Sequence, residues 1–221
     1  MQKFEFQIIK NLGPSVFKTK IPDEILNKIN NYIDEIIKDE EKIKELDHGS
    51  KLVGDVTQEF QLEKKIMEES GWLNFLANCT GEWIKRETAK TITKFSMKGS
   101  WVVRQFQNEY NPTHWHDGHI SGAGFLKVPK NFGSNIQKNK QSYQGGNLQL
   151  IHGSRMFLSQ SIINIVPKVG DLYLFQPIEL SNINITEYER KNPIDKKANN
   201  ISVLLNDKFK FKEMNEQKTI T

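Results

Sequence analysis

"SWVVRQFQNEYNPTHWHDGHISGAGFLKVP" spans Ser100–Pro129. It begins with β-branched and aromatic residues, breaks at Asn111-Pro112, and resumes as an apolar run interrupted by Gly122 and Gly124. Short runs of this kind, separated by Gly, Pro and Asn, predict antiparallel strands rather than helices. The segment also holds three of the chain's five histidines, His114, His116 and His119. Successive strand residues point to opposite faces, so His114 and His116 share a face. Two imidazoles on one face, two residues apart, can reach one metal ion.

The strand signal continues downstream in "GNLQLIHG", "SIINIVP", "DLYLFQP" and "NISVLLNDKFKF", and begins upstream with "TITKFSM". "NFGSNIQKNKQSYQGG" reads as a polar loop among them. Ahead of these runs the period is different. "FEFQIIKNLGPSVFKTKI" predicts a strand, a turn at Gly13-Pro14 and a short run into a helix. "PDEILNKINNYIDEIIKDEEKIKEL" then predicts one helix from Pro22. Ile25, Ile29, Tyr32, Ile33, Ile36 and Ile37 form its apolar stripe, at helical spacing. "DHGSKLVGDVTQEF" has no clear period and predicts an ordered loop. A second helical region runs from Leu62 towards Thr88, with breaks expected near Gly71 and Gly81. Leu62, Ile66, Leu73, Leu76, Trp83 and Ile84 are its inward residues. Helices first and strands after make an α+β order.

Composition narrows the function classes. The chain has 221 residues, 31 basic against 27 acidic, and a net charge of +4. That excess is spread along the chain and gives no nucleic-acid signal. The single cysteine, Cys79, permits no internal disulfide and reads as a small core residue. No stretch approaches the roughly 20 apolar residues of a membrane helix, and the first residues lack the apolar run of a secretion signal. A reducing, cytoplasmic setting is expected.

Two histidines and one carboxylate on one octahedral face suit non-haem Fe(II), with open positions for an oxo acid and dioxygen. Asp117 and His119 are the local candidates for a third ligand. Regular strand geometry turns Asp117 away, and His119 could reach only through a turn. A ligand from a distant strand is the remaining option. His152, after "LQLI", reads as a turn residue; His48 carries no spacing signal; Trp101 and Trp115 pack or rim the cleft.

Residues from about Trp101 to Phe175 resemble the 2-oxoglutarate/Fe(II) oxygenase superfamily, in its phage-type, prolyl-4-hydroxylase-like branch. The resemblance rests on the strand ending in "HWH" in place of the commoner HxD, on "GGNLQLIHGS" and on "PKVGDLYLF". "HGSKLVGDVTQEF" is similar to the lead-in of phage members. The resemblance implies a double-stranded β-helix (jelly-roll, cupin-like), with N-terminal helices packed on one sheet. It implies one oxygenase-like domain over 1–212, with a helical lead-in over about 20–90 and a β-sandwich over about 91–212. Residues 213–221 are then a loose tail.

The resemblance implies Fe(II) held by His114 and His116, and 2-oxoglutarate as cosubstrate. A distal family histidine completes the iron site, and its place here falls near Ser181. Glu179, two residues earlier, is the candidate carboxylate in its stead; a solvated edge residue is its other reading. A final-strand family arginine pairs the far carboxylate of 2-oxoglutarate, and its place is taken by Asn200. That exchange predicts weakened 2-oxoglutarate binding. Arg104 is the candidate replacement cation, with a structural ion pair as its alternative. The implied activity is a dioxygenase hydroxylating a peptide side chain or a small molecule. The alternatives are a degenerate, phage-type jelly-roll binding or structural module and a cupin-like metal protein that does not use 2-oxoglutarate.

Overall fold

The computed structural model describes residues 4–9, 13–114, 116, 118–135, 137–140, 143–153, 161–176, 181–184 and 202–211. The first 88 residues supply strands β1 (Phe6–Ile9), β2 (Val16–Lys20) and β3 (Gln58–Gln61). They also supply helices α1 (Asp23–Ile36), α2 (Glu40–Glu45), α3 (Lys64–Glu69) and α4 (Trp72–Thr88). Eight strands follow: β4 (Phe95–Gln105), β5 (Tyr110–His114), β6 (Ile120–Phe125), β7 (Asn147–Ile151), β8 (Ile162–Ile165), β9 (Asp171–Phe175), β10 (Ser181–Asn184) and β11 (Ser202–Phe211). They form two antiparallel sheets. The large one has the order β1-β2-β9-β6-β11-β4-β3, and the small one β5-β10-β7-β8.

Strand alternation sorts the core into two layers. Trp101 and Val103 of β4 join Ala123, Phe125, Tyr173, Phe175, Leu148 and Ile165 between the sheets. Val102, between them in sequence, faces the other way and joins Ile25, Ile29, Ile33, Trp72, Leu76 and Trp83 under the helices. All five residues of β9, Asp171–Phe175, are buried. A strand covered on both faces needs such a near-continuous apolar run.

The helical stripe packs as read, with Ile25, Ile29, Ile33 and Ile36 buried. The single helix predicted from Pro22 divides, however, at Lys38–Asp39. The Asp39 carboxylate accepts from the backbone N–H groups of Glu41 and Lys42 at 3.0 and 3.2 Å and starts α2. An aspartate in that position favours a new helix start over continuation. The break expected at Gly71 is present, with φ +83, but Gly81 lies inside α4 without one. Cys79 is fully buried, and burial pushes its thiol pKa up.

The loop predicted over residues 47–60 ends in a strand. β3 pairs with β4, placing Glu59 opposite Val103 and so on the between-sheet face. The segment before it is bridged to the small sheet through Asp55 and Tyr110, and Leu52 and Val56 pack on the core between the sheets. Gly54 permits this approach: a Cβ there would lie 2.2 Å from Asn111 Oδ1 and 3.0 Å from Glu59 Oε1.

Glu59 is only 2% exposed. Burial first, then the neighbouring Asp47 and Glu109 carboxylates, raises its pKa to about 7. Between its ordinary value and about 7 the folded chain therefore holds a proton that the unfolded chain has released. Stability falls as pH rises through that window. The urea midpoint of the native chain is expected to be higher at pH 5 than at pH 8. Glu59→Gln, which keeps the shape and loses the charge, should shrink that difference. An unchanged difference would show that Glu59 is ionised in the fold without cost.

Candidate metal centre

β5 reaches the site through Asn111 and Pro112, and its register against β10 shifts between Ser181 and Ile183. Irregularities of this kind re-aim side chains at strand ends. Here the rings of His114 and His116 lie side by side, with centroids 4.7 Å apart and planes at 41°. His114 is half-buried and His116 is 5% exposed. His114 Nδ1 is 2.8 Å from the Pro112 carbonyl. A carbonyl can only accept, so Nδ1 carries the proton and Nε2 is the ring nitrogen with the lone pair in the neutral ring. His116 meets the Phe175 ring at 5.6 Å and 82°. The pair therefore stands at the end of the inter-sheet core marked by the last residue of β9.

Two adjacent imidazoles, one with its tautomer set by a backbone bond, fit a borderline first-row divalent ion. Among the described residues, no group of three or more His, Cys, Asp or Glu side chains could hold a metal. Ser181, the position read as the family's distal ligand, is the backbone partner of His114 across β10 and β5. Glu179, Asn200, Asp117 and Trp115 lie outside the described residues. His119 is exposed, beyond a turn at Gly118 with φ +103. His152 follows β7, its backbone N–H bonded to the Ser161 carbonyl at 2.8 Å. The His48 ring lies 5.9 Å from that of Trp101.

Arg104 is placed away from the pair. It is in register with Gln58 and shares the helix-side face of β4 with Val102, opposite to the face of Trp101 and Val103. Its guanidinium bonds the Gln58 side chain and lies 5.3 Å from the Phe106 ring. Burial lowers its pKa, and Asp34 on α1 works against that. A polar group that sequence reasoning missed lies on the face of the large sheet that carries Tyr173 and Phe175: Lys18 and the exposed Lys20 of β2, with Asp171 and Tyr173 of β9. Its signal was the alternation in "VFKTK", which puts both lysines on one face.

Residues 99–181 match the family model described as "Putative 2OG-Fe(II) oxygenase". The matched stretch includes the histidine pair, β6 to β9, and Ser181. Over this stretch, less than half of the chain, the sequence is similar to a family described by Fe(II) and 2-oxoglutarate. This is the same family that the sequence resembles.

Among solved structures the chain is similar to a Pseudomonas putida prolyl-4-hydroxylase. The two are 13% identical with a TM-score of 0.54, over 90% of this chain and 93% of that one. The chain is also similar to a viral collagen prolyl hydroxylase from Paramecium bursaria Chlorella virus-1, solved as a 2-oxoglutarate complex. That similarity is at 13% identity and a TM-score of 0.49, over 88% and 94% of the two chains. The bacterial likeness shows a shared fold. A search of curated proteins gives no match. Among the described residues no helix is long and apolar enough to cross a membrane.

Proposed function

We propose that the chain is an Fe(II)- and 2-oxoglutarate-dependent dioxygenase that hydroxylates a peptide side chain or a small molecule. The observation that carries the reading is the adjacent pair of rings, His114 and His116, inside the segment that matches the family. The strand order supports it too. β4-β11-β6-β9 in one sheet and β5-β10-β7-β8 in the other fit the double-stranded β-helix that the resemblance implies, in which we place the site at the open end.

In this reading His114 and His116 hold the metal, with Glu179 as the carboxylate donor read from the sequence. When bound, iron and 2-oxoglutarate supply the oxidising power for inserting oxygen into an unreactive C–H bond. The chain itself orients and shields. The Pro112 carbonyl holds the His114 ring, Phe175 backs His116 and keeps water from that side, and the inter-sheet core fixes β9 behind both. A prolyl peptide is the first substrate to try, since the bacterial neighbour is named as a prolyl-4-hydroxylase.

Adding Fe(II) and then 2-oxoglutarate without oxygen should produce a visible metal-to-ligand charge-transfer band, and admitting oxygen should release succinate. A chain that binds no Fe(II) would be a binding or structural module that keeps the fold without the chemistry.

A further inference from the structure

The proposed chemistry needs a cation that the described site has not yet supplied. 2-Oxoglutarate carries a second carboxylate, and burying it unpaired is costly. Asn200 stands where the family's arginine would, and Arg104 faces the helices.

Lys18 on β2 is in register with Tyr173 on β9, so both side chains leave the sheet on one face. That face is the one Tyr173 shares with Phe175 and the inter-sheet core. Lys18 Nζ lies over the Tyr173 ring, 5.4 Å from its centroid. The Tyr173 hydroxyl lies 3.3 Å from Asp171 Oδ2. Asp171 also meets Lys18 at 3.6 Å and Lys20 at 2.5 Å. Two ammonium groups and one carboxylate leave one positive charge unmatched in this group.

The spacing along β9 fits the ligand. Phe175, whose ring touches that of His116, is two residues beyond Tyr173, roughly 7 Å along the strand. An extended five-carbon chain with bonds of about 1.5 Å spans roughly 5 Å between its end carbons. A dicarboxylate whose oxo-acid end is held at the histidine pair therefore brings its other end to Tyr173.

Resting on the dioxygenase reading, we propose that Lys18 and Tyr173 bind the far carboxylate of 2-oxoglutarate, in place of a final-strand arginine. Lys20 stays on Asp171 and neutralises it, which frees Lys18 to turn from Asp171 towards the ligand. Tyr173, 4% exposed, gives the carboxylate a hydroxyl donor fixed by packing.

The test is binding, read without turnover. Fe(II)-loaded chain is titrated without oxygen with 2-oxoglutarate and, separately, with 2-oxopentanoate, which lacks the far carboxylate. The charge-transfer band reports both. The native chain should prefer 2-oxoglutarate by about ten- to hundredfold, the range of one or two charged hydrogen bonds. Lys18→Met should reduce that preference to near unity with 2-oxopentanoate binding unchanged, which also shows that the site is folded. Lys18→Arg should retain most of the preference, and Tyr173→Phe should lose part of it. Full preference in Lys18→Met, or none in the native chain, overturns the proposal while the dioxygenase reading stands. No band with either acid in the native chain overturns the dioxygenase reading and this proposal with it.

Discussion

The His116→Ala chain is expected to bind Fe(II) at least a hundredfold more weakly than the native one. Losing a group that only orients a metal-bound histidine typically costs ten- to hundredfold in affinity. Losing a donor nitrogen itself should cost more. His116 is the more buried of the pair, held between the His114 ring and the Phe175 ring, which it meets at 82°. Its removal leaves His114 as the only described nitrogen donor at this strand end. Equilibrium dialysis against Fe(II) without oxygen reads the effect directly. His116→Gln, which fills more of the space beside Phe175, separates loss of the donor from loss of packing and should be nearly as weak. Native-like affinity in both variants would move the metal, if one binds, away from β5.

The largest stability effect is expected at Trp72. It opens α4, is fully buried, and packs against Phe75 with ring centroids 5.9 Å apart. It belongs to the layer that joins the helices to Val102, Leu172 and Leu174 of the large sheet. Replacing a buried tryptophan with alanine removes its transfer energy and leaves a cavity, together about 3–5 kcal/mol. For a chain of this size each kcal/mol moves the melting temperature by about 2–4 °C, so Trp72→Ala should melt roughly 6–20 °C lower. Calorimetry of the two proteins at one pH checks this. A drop below about 2 °C would mean that the helical layer contributes little to holding the sheet.

Much of this architecture was legible from periodicity. The stripe from Ile25 to Ile36 named the buried face of α1, and the runs after Thr91 named six of the eight later strands, β4 as two runs. β5 was missed because Asn111-Pro112, inside it, reads as a break. β10 was missed because "SNIN" has no alternating apolar pattern; its partners β5 and β7 place it. β3 was missed for a related reason: Glu59 and Gln61 look polar, and the burial of Glu59 comes from Asp47, Gly54 and Asn111, which sequence spacing does not bring together. At the site, the two-residue step from His114 to His116 was enough to set their rings together. The Lys18 group was legible only as two lysines on one face of a strand. Lys18 and Tyr173 are far apart in sequence, and only the pairing of β2 with β9 makes them neighbours. Arg104 shows the limit of reading a cation from proximity in sequence. Its strand β4 belongs to the large sheet and not to the small sheet of β5 and His114, and alternation turns Arg104 to the helical side.

The position of β11 in the large sheet sets an order on how the chain is made. β11 lies between β6 and β4, yet residues 202–211 follow every other described strand in sequence. A growing polypeptide can join β4 to β3, and β6 to β9, β2 and β1, but these two halves have no ladder between them until β11 inserts. From residue 125 to residue 202, synthesis at about 5–20 residues per second lasts on the order of 4–15 s. Throughout that interval β4 and β6 each present an open edge, the kind of surface that pairs with other chains. Nascent protein should therefore depend on holding chaperones while residues 126–202 are being made, and the two halves of the large sheet should join in one late step when β11 inserts.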